Sequence, residues 1–167
     1  MDSRPRALVI GGSVGGLFAA IQLRQSGWRV DVFERVAEAL TGRGAGIATH
    51  PELLDILVRC GARADDSVGV EVPCRVVLDA SGRTVGELPM RQIFTSWGRL
   101  YALLGTQLPA ERYHAGWSLE CVEHSASTVI AHFADGQRVE GELLVGADGI
   151  RSTVRAQFLP AVKPLYA

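Results

Sequence analysis

The chain has 167 residues, 47% of them hydrophobic, with 17 basic against 18 acidic side chains and a net charge of −1. That length is one domain with enough apolar material for a core, and the even charge balance gives no electrostatic case for nucleic acid or an anionic membrane. No apolar run approaches a membrane span, Met1 to Arg6 lacks a signal-like core, and Cys60, Cys74 and Cys121 are odd in number and widely spaced; the expectation is a soluble, cytoplasmic protein whose cysteines are packing residues rather than disulfides or metal ligands.

Ala7 to Ile10 reads as a short buried strand that stops at Gly11. A Gly-rich turn then opens a helix from about Gly15 to Ser26, with Leu17, Ala20, Ile21 and Leu23 as its apolar stripe and Gly27 as its C-terminal cap. A second strand, Arg29 to Phe33, closes on Glu34. A strand, turn, helix and strand with an acid about twenty residues past the turn is the dinucleotide fingerprint. Its first glycine makes the tight turn, its second lets backbone approach a pyrophosphate, and its third lets helix pack on strand; here these places hold Gly11, Ser13 and Gly16. The Ser13 hydroxyl is small and is itself able to bond a phosphate oxygen. Exposed N–H groups and the positive end of the helix dipole receive the anion. Glu34 is placed to accept ribose hydroxyls and to repel a 2′-phosphate, so the nucleotide is expected to be FAD or NAD rather than NADP. The alternative is a Gly-rich helix start in an ordinary α/β protein with Glu34 merely solvated.

After Arg35 a loop leads to Leu40 and then to TGRGAGI, where Gly42, Gly44 and Gly46 surround Arg43. The glycines read as backbone pressed against something flat or passing close to another segment, or else as a flexible loop. Thr49 with Glu52 reads as a capping box, Pro51 suits an early helical position, and Gly61 ends the helix. His50, at the mouth of that helix, is either a substrate or flavin contact or a plain loop histidine.

From Val68 the texture changes to short strands, with Asp79-Ala80-Ser81-Gly82 as a hairpin turn. Thr95 and Ser96 are candidate caps for a helix from about Gly98 to Leu108, with Leu100, Leu103, Leu104 and Leu108 inward. Arg99 lies in its first turn, which a cation occupies against the dipole, for a phosphate or for a surface ion pair. Tyr113–His114, 118–124, 128–133 and 137–140 form a run of strands that reads as a meander, with Asp135-Gly136 as its clearest turn. A buried strand over 142–145 then enters GADGIRSTVR, where Asp148-Gly149 opens a short helix and reads as a ligand-facing turn. No nucleophile with its base, paired-carboxylate site or metal cluster is visible, so a cofactor must supply the chemistry.

In this order the pieces resemble the flavoprotein aromatic hydroxylases, the single-component FAD monooxygenases related to p-hydroxybenzoate hydroxylase. Three signatures carry the resemblance: GGSVGG with Glu34-Arg35, the RGAGI loop, and GADGIRSTVR. The stretch TGRGAGIATHPELLDIL, and FTSW followed by ERYH, resemble the dihydroxypyridine hydroxylase and hydroxynicotinate monooxygenase branch. The resemblance implies an α/β, Rossmann-like FAD-binding fold, a parallel sheet with helices plus a β-meander, over 1–167, with 68–93 as a small β excursion toward a substrate domain. It implies that Gly11, Ser13 and Gly16 hold the pyrophosphate, Glu34 takes the ribose, and Arg35 lies beside the adenine end. Arg43 and Gly46 would lie along the flavin, Arg99 would reach the phosphate or ribityl region, Asp148 would bond the ribityl chain, and His50 would be a substrate-side contact.

The implied chemistry is hydroxylation of a small aromatic or N-heteroaromatic ring, with NADPH or NADH as reductant and O₂ as oxidant, the protein positioning the ring and excluding water. Relatives carry a third flavin motif that this chain lacks, so it is expected to be the N-terminal portion of a longer monooxygenase, with little or no hydroxylation of its own. A homodimer or a complementing C-terminal half is the implied protein partner. Two rivals stand beside this reading: another flavin oxidoreductase on the same scaffold (epoxidase, halogenase or reductase), and a non-catalytic flavin- or nucleotide-binding module that works with a separate chain.

Overall fold

Strand β1 (Arg6–Ile10) carries Ala7, Leu8, Val9 and Ile10 at 0 to 3% exposure. A strand this apolar on both faces belongs at the centre of a covered parallel sheet, and β1 lies between β2 (Arg29–Glu34) and β10 (Leu143–Gly146) in a computed structural model that describes residues 3–40, 44, 46–63 and 68–165. The all-parallel order is β10-β1-β2-β6, where β6 is Tyr113–Ala115, with Ala7 opposite Leu143 on one side and Val30 on the other. Helix α1 (Val14–Gln25) makes the right-handed crossover from β1 to β2 and buries Gly16, Leu17, Ala20 and Ile21. It ends in a Schellman motif, the Trp28 N–H reaching the Leu23 carbonyl and the Gly27 N–H that of Arg24.

The chain divides into two compact units, the first drawn from 1–41 and 104–167 and the second from 42–103. In the first, the opposite sheet face is covered by an antiparallel sheet of β7 (Leu119–His124), β8 (Val129–Phe133) and β9 (Arg138–Gly141). Leu8, Ile10 and Phe33 from below meet Ala131 and Phe133 from above, with Trp117, Leu119 and Val139 at the edges. Strand β6 (Tyr113–Ala115) departs from expectation: it joins the parallel sheet beside β2 rather than the meander. The β10 strand is half-buried, not buried. The GADGIRSTVR stretch ends in α4 (Thr153–Phe158).

Under the meander lies Asp31, 2% exposed. Its carboxylate accepts from Arg6 Nε at 2.8 Å, His114 Nε2 at 3.1 Å and an Arg112 guanidinium nitrogen at 3.3 Å. The His114 ring in turn stacks on Phe33, with centroids 4.9 Å apart. Burial alone would raise the Asp31 pKa, but the His114 and Arg6 hydrogen bonds, then the Arg6 charge and the Arg112 bond, together hold it below its ordinary value. These partners come from β1 and from the contiguous stretch of the 3₁₀ turn Ala110–Arg112 and β6, so one charge ties two distant segments to β2.

The second unit contains an antiparallel sheet, β3 (Gly46–Ala48), β5 (Thr84–Ser96) and β4 (Val70–Leu78), with helices α2 (Pro51–Arg59) and α3 (Trp97–Gly105). The expected β4–β5 hairpin forms: the Asp79 carboxylate gathers the Ser81 N–H and hydroxyl and the Arg83 N–H. Three readings need correction. The α2 cap is His50, whose Nδ1 accepts the Leu53 N–H at 3.3 Å, not Thr49, which is 2% exposed at the end of the preceding segment. Helix α3 starts one residue earlier and stops three residues short of Leu108; Ser96 caps it by accepting the Arg99 N–H, while the Thr95 hydroxyl donates to the Val68 carbonyl. Cys60 is a packing residue, but Cys74 and Cys121 are exposed.

Among the described residues no helix is long and apolar enough to cross a membrane. The Asp31 network makes a pH-dependent prediction. A carboxylate whose folded pKa is depressed stabilises the fold in full above the unfolded value, about 3.9, and that contribution is lost as pH falls through the lower folded value. Asp31→Asn should therefore cost about 2 kcal/mol in urea denaturation at pH 7 and less below pH 3. An equal loss at both would show that the charge is not what holds these segments.

Candidate functional site

Three turns of the first unit leave the sheet at the carboxyl ends of neighbouring parallel strands: Gly11-Gly12-Ser13 after β1, Glu34 at the end of β2, and Ala147-Asp148 after β10. The chain crosses from β1 to β2 on one side and returns to β1 as β10 on the other, so β1 is where the strand order reverses. That reversal opens a crevice at the carboxyl ends, the place where such sheets take ligands.

Backbone packing shapes the crevice. Gly11 has φ of +104°, and a methyl group there would lie 2.3 Å from the Ala147 carbonyl oxygen. A methyl on Gly16 would meet the Gly11 carbonyl oxygen at 1.8 Å. The Ala147 N–H donates to Ile10 O at 2.7 Å, which locks the second turn beside the first. The glycines expected to make the turn and to let helix approach strand thus do so, against partners the sequence did not name.

Ser13 is the N-cap of α1, yet its side chain makes no capping bond, and the first turn carries no acidic residue. The leading N–H groups of a helix have no partner within it, so this end offers donors and positive potential to an anion. The Glu34 carboxylate, 7% exposed, accepts the Gly12 N–H at 2.8 Å and the Val36 N–H at 3.0 Å. A carboxylate has about four acceptor positions, so two remain for hydroxyl donors. Arg35, next in the chain, is exposed.

Asp148 has a role that sequence reasoning missed. One oxygen accepts the Ser152 hydroxyl at 2.5 Å, and the other accepts the Thr153 and Val154 N–H groups at 2.7 and 3.2 Å. Ser152 in turn accepts the Arg155 N–H at 2.9 Å as the N-cap of α4. The Asp-x-x-x-Ser spacing was the available signal, since both are capping residues placed before a helix.

The remaining candidates belong to the second unit, except Arg43, which lies outside the described residues. Gly46 pairs with Ser96 across β3 and β5. Gly44 passes close to another segment: a methyl there would meet the Trp97 Cβ at the start of α3 at 2.3 Å, and the Trp97 ring stacks on Tyr101 at 5.0 Å. Arg99 is exposed in the first turn of α3. His50 is exposed, with Nδ1 2.9 Å from Glu52, and lines a cleft of about 520 Å³ with Pro51, Leu54, Glu71, Met90 and Arg91. Among the described residues no group of three or more potential ligands gathers to hold a metal.

Residues 9–70 match the NAD(P)-binding Rossmann-like domain. The chain is 39% identical over 163 residues to 2,6-dihydroxypyridine 3-monooxygenase of Paenarthrobacter nicotinovorans, an overlap covering 97% of this chain and 41% of that protein. The solved structure of 2,6-dihydroxypyridine-3-hydroxylase from Arthrobacter nicotinovorans superposes with a TM-score of 0.89 at 38% identity, covering all of this chain and 42% of that one. Klebsiella pneumoniae HpxO, solved with FAD and uric acid, gives 0.81 at 27% identity, over 96% of this chain and 43% of its own. The resemblance to FAD-dependent monooxygenases is borne out along nearly the whole chain, and the chain spans less than half the length of these relatives.

The two glycines in the first turn of α1 should respond in opposite directions. Nothing lies within 4 Å of a methyl on Gly15, so Gly15→Ala should stabilise the chain by about 0.5 kcal/mol through helix propensity. Gly16→Ala should cost about 2 kcal/mol or more, because backbone must move to admit it. Thermal melts of the two variants test this; a neutral Gly16→Ala would contradict the packing.

Proposed function

We propose that this chain binds FAD across the turns that follow β1 and β10 and supplies the nucleotide-binding part of a flavin-dependent monooxygenase. Its substrate would be a hydroxypyridine-type or similar small electron-rich ring, and NADH or NADPH its reductant. The observation that carries the reading is the junction of Gly11, Gly16 and Ala147, where backbone leaves no room for a side chain at either glycine and the start of α1 is left without a side-chain cap. An ordinary loop-to-helix join does not require that.

The residues present fit the cofactor. The uncommitted Ser13 hydroxyl and the leading N–H groups of α1 suit a pyrophosphate, with Gly11 and Gly16 making room for it. Glu34 is fixed by two backbone donors with acceptor positions to spare, which suits ribose hydroxyls and disfavours a 2′-phosphate. Asp148 would act mainly by holding the second turn and α4 in shape, and through them the ribityl end of the ligand. Arg35, Arg43, Gly46, Arg99 and His50 keep the roles the resemblance implies, at the adenine end, along the flavin, at the phosphates and toward the substrate. When bound, reduced FAD supplies the oxygen-activating chemistry; the chain's own contribution is to hold the dinucleotide and orient it.

The similarity to relatives named as monooxygenases of hydroxypyridines supports the substrate class. The protein is proposed to act inside the cell, where such reductants are found. Titrating FAD into the 167-residue chain, followed by flavin fluorescence, should give saturable binding that Glu34→Gln weakens about tenfold, as expected for one lost hydrogen bond to a charged group. Binding of NAD with none of FAD would overturn the proposal in favour of an ordinary nicotinamide-type domain.

A further inference from the structure

The position between Gly11 and Ser13 is glycine for a reason outside the fingerprint. Gly12 does not adopt a positive φ, so an L side chain would be conformationally acceptable there. What excludes one is Tyr113: a methyl on Gly12 would lie 2.3 Å from the phenol oxygen and 2.6 Å from two ring carbons. The same hydroxyl donates to the Gly12 carbonyl at 3.2 Å. Gly12 is thus gripped at both ends, its N–H by Glu34 at 2.8 Å and its carbonyl by Tyr113.

The grip has a direction. Among the described residues every peptide bond is trans, so the Ser13 N–H points opposite to the Gly12 carbonyl across the same planar unit. Holding the carbonyl toward Tyr113 aims the N–H of Ser13, the N-cap of α1, away from the Tyr113 hydroxyl. We infer that Tyr113 is a positioning residue for the anion-binding turn, its hydroxyl setting the Gly12–Ser13 peptide so that the Ser13 N–H meets a nucleotide's phosphates. This rests on the nucleotide reading proposed above and adds to it a residue about a hundred positions away, on the outer strand of the sheet.

The test compares the 167-residue chain with Tyr113→Phe, which keeps the ring and removes the hydroxyl. Affinities are measured for FAD, ADP and adenosine, together with ligand-free melting temperatures. Tyr113→Phe should weaken FAD and ADP about tenfold, leave adenosine unchanged because it has no phosphate, and leave the melting temperature near wild type. Equal weakening of ADP and adenosine, a loss that follows a lowered melting temperature, or no change would each overturn the inference. Wild-type chain that binds none of the three would overturn the nucleotide reading and this with it, whereas wild-type binding that Tyr113→Phe does not alter removes only this. The steric half is read without ligand: Gly12→Ala should lower the melting temperature, and Tyr113→Ala in the same chain should recover part of that loss. Strict additivity of the two would show that the ring does not dictate glycine.

Discussion

The carbonyl oxygen of Gly11 occupies the place that a methyl group on Gly16 would need, 1.8 Å from that ideal position. Most of the first unit follows from this approach. It brings the start of α1 down onto the end of β1, where the crossover to β2 begins. It lets the Ala147 turn close against the other side of Gly11. Close packing of this kind gains dispersion and excludes water, but it tolerates no side chain, so three glycines or small residues must meet where three elements meet. The helix start is left without a side-chain cap, its leading N–H groups having no partner within the helix.

A second constraint acts on the other sheet face. Apolar contact among Leu8, Ile10, Phe33, Ala131 and Phe133 has no direction of its own. Asp31 supplies one. A nearly buried carboxylate must find donors, and those available are Arg6, Arg112 and His114, so β6 is drawn alongside β2 and His114 is set on Phe33. The same strand carries Tyr113 to the other face, where it reaches Gly12. One short strand therefore serves both the core and the turn.

The elements with a strong local pattern were legible in the sequence. The β1–α1–β2 unit, the β4–β5 hairpin and the run of strands from Leu119 onward follow from apolar spacing and from Gly or Asp-Gly punctuation, and all lie close to where they were expected. The site was legible as residue types: Gly11, Ser13, Gly16, Glu34 and Asp148 gather at the carboxyl edge of one sheet. What could not be read was decided by distant partners. Tyr113–Ala115 is too short for its spacing to tell a parallel edge from a meander, and its pairing with Val32–Glu34 comes from the tertiary fold. His50 displaced Thr49 as a cap because Thr49 is buried at the end of the preceding segment, where its N–H bonds Ile93. Asp148 looked like a ligand group because its carboxylate precedes a helix after a strand, and the structure turns it first upon its own helix.

The pairing of β1 with β10 carries a further consequence. Their ends are joined by the Arg6 N–H bond to Glu142, between residues 136 positions apart. Closing so long a loop is slow compared with forming β1, α1 and β2, which are neighbours in the chain. As the polypeptide emerges from a ribosome, the Gly-rich turn is made well before its companion at Ala147, some 135 positions later. Until then β1 keeps one open edge of strongly apolar residues, the kind of edge that invites pairing with the wrong strand. Until β10 is made the nascent chain thus holds only one of the two turns, and the segment that shields the edge is the same one that brings the second.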